Sequence, residues 1–118
     1  RVSEKVERLS SADTMRAIRF AQVVVLLLDA SDMMEKRDLT IARQTIDEGR
    51  ALVVAANKWD AVTDREGALQ SLRDRLQTSL PQVRGVPVIT LSALNGSNLD
   101  RMLDAAFSVF EVLISREL

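Results

Sequence analysis

Three short stretches of nearly unbroken apolar residues punctuate the chain: QVVVLLLDA (Gln22 to Ala30), ALVVAAN (Ala51 to Asn57) and VPVITLS (Val86 to Ser92). Runs of this length, rich in Val and Leu and lacking polar alternation, predict strands covered on both faces, as in a parallel sheet. The segments between and after them repeat their apolar residues at helical spacing. Leu39, Ala42 and Ile46 form one stripe; Leu69, Leu72, Leu76 and Leu80 a second; Leu99, Met102, Leu103, Ala106, Phe107 and Phe110 a third. Punctuation supports these helices. Gly49 follows the first, Thr63 with Glu66 reads as a capping box for the second, Pro81 closes it, and Ser97 or Asn98 is placed to cap the third. Upstream, Ser3 to Ala21 carries Val6, Leu9, Ala17 and Ile18 at looser spacing and predicts a further helix with an irregular middle. Strands alternating with helices imply right-handed βαβ units within a single α/β domain.

Composition then removes whole classes of chemistry. The 118 residues are 47% hydrophobic and 28% charged, which places the chain among proteins that fold by burial. Sixteen basic against seventeen acidic residues leave a formal charge of -1, so no electrostatic case exists for wrapping nucleic acid or lying on an anionic membrane. With no Cys and no His, disulfides, zinc clusters, thiol nucleophiles and imidazole bases are excluded together. No apolar run approaches the roughly 18 residues of a spanning helix, and a cytoplasmic location is expected.

The second apolar run ends in Asn57, Lys58, Trp59 and Asp60, and the third in Ser92, Ala93, Leu94, Asn95 and Gly96. In an open parallel sheet, ligands bind beyond the carboxyl ends of the strands, so two polar loops are expected to converge on one sheet edge. A carboxylate there can accept two parallel N–H bonds from a ring N–H and an adjacent amine, the pattern that guanine presents and adenine lacks. Asp60 is the candidate for that role, with the alkyl stem of Lys58 available to cover a ring face. The rival reading makes Asp60 a loop carboxylate capping the turn toward Thr63. Trp59 is expected to pack against a loop or a partner rather than touch a base. Asp29, at the end of the first apolar run, invites a role in metal or phosphate binding but reads more simply as a strand-terminal cap. Met33 and Met34 read as a loop resting on the core.

NKWD resembles the N-K-x-D motif of the translation-factor class of P-loop GTPases, and SAL (Ser92 to Leu94) resembles the S-A-K/L motif that follows it. The Trp within NKWD, the opening RVSEKVERLSSADTMRAIRFAQVVVLLLDAS, DLTIA and AFSVFEV are together similar to the second GTPase domain of the EngA (Der) family. The resemblance implies a three-layer, Ras-like P-loop GTPase fold, of which residues 1 to 118 supply the C-terminal half: about three strands and four helices, from the second switch region to the last helix. It implies six base-recognition residues. Asp60 holds guanine N1 and N2, Asn57 bonds the base edge and ties the loop to the phosphate loop, Lys58 stacks on the base, Ser92 buttresses Asp60, the Ala93 N–H donates to guanine O6, and Leu94 shields the pocket.

The phosphate loop, first-switch threonine, D-x-x-G motif and KH-like domain of that family have no counterpart here, and glycines at 49, 67, 85 and 96 alone build no phosphate cradle. GTP or GDP is therefore expected to make only base contacts with this chain, with Mg²⁺, metal ligands and catalytic groups elsewhere in the parent, and with the large ribosomal subunit as the parent's partner. No hydrolysis is expected from these residues alone. The alternative is a non-catalytic α/β interaction or assembly module without useful nucleotide binding. Val23 to Asp29 is expected as an apolar sheet edge inviting a dimer or swapped strand, and Leu113 to Leu118 as a tail outside the family pattern.

Overall fold

The computed structural model describes residues 6–8, 16–32, 34–92 and 112–115. The described strands are β1 (Val6–Arg8), β2 (Val23–Asp29), β3 (Ala51–Asn57), β4 (Val88–Thr90) and β5 (Val112–Ile114), and the helices are α1 (Lys36–Asp47) and α2 (Arg65–Ser79). All pairings are parallel, in the order β1-β5-β2-β3-β4. The α/β class and parallel sheet read from the apolar runs are those observed.

The two long strands are the centre of the sheet because both of their faces are apolar. Side chains alternate across a strand. Val24, Leu26 and Leu28 of β2, with Leu52 and Val54 of β3, therefore share one face, packed with Ile41 and Ala42 of α1 and Leu72 and Leu76 of α2. Val23, Val25 and Leu27, with Val53 and Ala55, share the other face with Leu91, Val112 and Ile114. The edge strands β1 and β4 are only three residues long, which limits the unpaired backbone each presents.

The observed structure corrects four expectations. Val6–Arg8 lies in a strand paired to β5, not in a helix; only Arg16 and Ala17, leading into a 3-10 turn at Ile18–Phe20, are helical in the described part of that segment. Val23 to Asp29 is not a bare edge: Val23, Val24 and Val25 pair with Val112, Leu113 and Ile114, so the ground for strand exchange there is gone. The expected tail thus contributes a buried strand, and Ser115 extends its hold. Its N–H donates to the Val25 carbonyl at 3.0 Å, its Oγ accepts the Leu27 N–H at 3.0 Å, and its carbonyl accepts Arg37 Nη2 at 2.8 Å. Finally, α2 is capped by Asp64, whose carboxylate accepts the Gly67 N–H at 3.1 Å, and not by a Thr63–Glu66 box. Gly67 permits this, since a Cβ there would sit 2.2 Å from Asp64 Oδ2.

The capping box belongs instead to α1, formed by Glu35 and Asp38. The buried stripe of α1 is Asp38, Ile41, Ala42 and Thr45, with Leu39 and Ile46 at its margins. Gly49, with φ of +72°, supplies the left-handed residue that turns the chain from α1 into β3. The predicted third helix, its Ser97 or Asn98 cap, and Met33 lie outside the described residues. Met34 is buried in the core, as a loop resting on it should be.

Candidate functional site

Parallel register fixes which residues meet at the carboxyl ends of the strands. Asp29 closes β2 opposite Asn57, which closes β3, and Ala56 stands opposite Thr90 at the end of β4. Two further backbone bonds carry the pairing past the last strand residue. The Leu91 N–H donates to the Ala56 carbonyl, and the Trp59 N–H donates to the Leu91 carbonyl, both at 2.8 Å. Across β2, the Ala30 N–H donates to the Asn57 carbonyl at 3.0 Å. The NKWD loop is thereby stitched to both neighbours, and Ser92 leaves β4 directly beside Trp59.

Within the loop the chain turns sharply. Lys58 has φ of +62°, a left-handed conformation that costs a non-glycine residue about 1–2 kcal/mol. Part of that cost is offset locally: the Asn57 side chain, 8% exposed, accepts the Lys58 N–H on Oδ1 at 2.8 Å. The turn throws Trp59–Ala61 into a 3-10 turn, with Trp59 buried and Asp60 exposed. The packing expected of Trp59 is thus met. Asp60's backbone carbonyl accepts Arg65 Nη2 at 3.4 Å, and the residue is exposed.

Lys58 does not simply extend into water. Its Nζ stands 3.0 Å from Asp29 Oδ2, so the side chain runs along the sheet edge from β3 to β2. Asp29 Oδ1 accepts the Ser31 N–H at 3.0 Å and the Ser31 hydroxyl at 2.7 Å. These bonds to Ser31, followed by the one from Lys58, hold the Asp29 carboxyl down from 3.8 to about 2. The strand-terminal cap is the reading that this geometry supports. Its engagement with Lys58 is what sequence alone misses, although an Asp at a strand end with Ser two residues on is a recognisable turn signal. Among the described residues no group of three or more acidic, His or Cys side chains is placed to hold a metal ion.

Of the six predicted base-site residues, Asn57, Lys58, Asp60 and Ser92 are brought to one sheet edge; Ala93 and Leu94 lie outside the described residues. A cavity of about 270 Å³ is elsewhere, between the C-terminal half of α2 and the segment entering β4, at the amino ends of the strands. Lined by Arg73, Asp74, Leu76 and Val86 among others, it takes no part in this site.

The sequence profile of the elongation factor Tu GTP binding domain matches residues 11–112. The chain belongs to that GTP-binding domain family. Within the family the chain is similar to proteins named GTPase Der: 51% identity over 105 residues with that of Parvibaculum lavamentivorans, 47% over 112 residues with that of Dinoroseobacter shibae, and 47% over 118 residues with that of Rhodopseudomonas palustris. These alignments take in 89%, 95% and 98% of the chain but 22%, 23% and 26% of the relatives. The chain therefore spans about a quarter of the length of the curated relatives it matches. The GTP-binding domain family accounts for the parallel α/β sheet. Among the described residues no helix is long and apolar enough to cross a membrane.

Proposed function

We propose that the chain is the guanine-recognition half of a GTPase domain, and that its parent hydrolyses GTP while acting in assembly of the large ribosomal subunit. The observation that carries the base-recognition reading is the 2.8 Å bond from Trp59 N–H to the Leu91 carbonyl, which brings the loop carrying Asp60 beside Leu91 and Ser92. In this reading the Asp60 carboxylate accepts the guanine ring N–H and exocyclic amine. Adenine is rejected because it leaves that charged acceptor unpaired, a penalty on the order of 1–3 kcal/mol or more. Asn57 holds the loop in shape and offers its remaining amide donors. The stem of Lys58 covers one ring face and Ser92 buttresses Asp60, while the family likeness assigns the Ala93 N–H to guanine O6 and Leu94 to shielding the pocket.

Phosphate contacts supply most of the affinity in such domains, and Mg²⁺ sits among them. Base recognition is the part of the parent's activity proposed for this chain. The ribosomal role rests on the likeness to the EngA (Der) family alone. The test is titration of guanine and adenine nucleotides against this chain and against the full-length protein. Preferential binding of guanine nucleotides by the full-length protein, with weak binding by the chain alone, supports the reading. Equal affinity for the two bases in the full-length protein removes it.

A further inference from the structure

We propose that Asp29, braced by Ser31, is a positioning residue for nucleotide recognition: it anchors the Lys58 ammonium so that the lysine stem stands ready as one wall of the base pocket. This inference rests on the base-recognition reading of the NKWD loop and adds a residue from a different strand to it.

The geometry divides the two oxygens of Asp29 between two tasks. Oδ1 takes both Ser31 donors, the N–H at 3.0 Å and the hydroxyl at 2.7 Å, which fixes the carboxylate plane. Oδ2 is left facing Lys58 Nζ at 3.0 Å. The pair is also tied through the backbone. Asp29 and Asn57 are register partners, and the Ala30 N–H donates to the Asn57 carbonyl, so the anchor and the loop it serves are held side by side. Lys58 needs such an anchor. Its backbone is already committed to a left-handed turn by the Asn57 side chain, while the side chain above it is 65% exposed and has four rotatable bonds. An exposed ion pair contributes little to folding. Its larger effect is to restrict where the stem lies before a ligand arrives, which reduces the ordering that binding must otherwise impose.

A double-mutant cycle in the full-length protein tests this, with GDP as the probe and Lys58→Met removing the ammonium while keeping an unbranched stem. In the Lys58 background, Asp29→Asn is expected to weaken GDP binding roughly 3- to 5-fold, the scale of a partly exposed ion pair. In the Lys58→Met background the same change is expected to have no further effect. Ser31→Ala should give a smaller loss that likewise disappears in Lys58→Met, and it carries the cycle should Asp29→Asn fail to fold. Equal losses in both backgrounds, or no loss in either, overturn the proposal, since a merely structural Asp29 acts independently of the ammonium. Asp60→Asn, measured in parallel, separates the two levels of the argument. If that variant keeps the parent's preference for guanine over xanthine, the base-site reading falls and takes this one with it. If the preference switches while the cycle is additive, only the role of Asp29 is lost.

Discussion

Replacing Asn57 with Ala tests how the NKWD loop is built, independently of any ligand. Asn57 is 8% exposed, and its Oδ1 accepts the Lys58 N–H at 2.8 Å. That bond holds a lysine at φ of +62°. Losing a hydrogen bond of this kind costs about 0.5–1.5 kcal/mol, and the space left by the amide adds to it, so a destabilisation of about 1–2 kcal/mol is expected. For a domain of this size that is a fall of roughly 4–10 °C in Tm. A second substitution fixes the cause. Lys58→Gly removes the left-handed penalty of about 1–2 kcal/mol but adds unfolded-state freedom of about 0.5–1 kcal/mol, so in the Asn57→Ala background it should return about 0–1.5 kcal/mol. Trp59 is the only tryptophan in the chain and is 7% exposed, so its emission reports urea unfolding from within the loop. An unchanged midpoint for Asn57→Ala, or a further fall on adding Lys58→Gly, refutes this account of the turn.

Three other outcomes follow from single contacts. The Asp29 carboxyl is held at about 2 against 3.8 in an unstrained setting, so its stabilising effect is present above about pH 4 and is lost as pH falls toward 2. Denaturant midpoints of the parent chain and Asp29→Asn should accordingly differ at pH 6 and converge as the acid limit is approached. Ser115→Ala leaves the Leu27 N–H without its acceptor at a fully buried position, and a loss of about 1–3 kcal/mol is expected in the same urea assay. Leu26→Ala, in the centre of β2 with no exposed surface, should cost about 2–5 kcal/mol, measured by thermal or urea unfolding.

The centre of the sheet was legible because β2 and β3 are apolar at every inward position, a pattern that few structures other than a two-sided parallel sheet satisfy. The short strands were not. Val6–Arg8 has one apolar residue flanked by charges, and its strand conformation is set by pairing with β5, a partner more than a hundred residues away in sequence. Val112–Ile114 follows a stretch with helical apolar spacing, so nothing local marks where the period changes. The α2 cap was misread because Thr63 and Glu66 satisfy the spacing of a box while Asp64 is one residue nearer and Gly67 leaves room for its carboxylate. Motif and strand ends place Asn57, Lys58, Asp60 and Ser92 together at the carboxyl end of the sheet, since where a strand ends is carried by position along the chain. The link from Lys58 to Asp29 depends on the lateral register of β2 and β3 and on a side-chain path, neither of which sequence spacing encodes.

The central claim is that the Asp60 carboxylate reads guanine, and Asp60→Asn in the full-length protein tests it most directly. An amide presents a donor where the carboxylate offered only acceptors, matching the carbonyl that xanthine carries in place of the guanine amine. Competition of GDP and XDP, read at the GTPase domain that contains this chain and not at the family's other GTPase domain, should show the variant's preference moved to XDP. A variant that binds GDP as tightly as the parent, with XDP still excluded, contradicts the account.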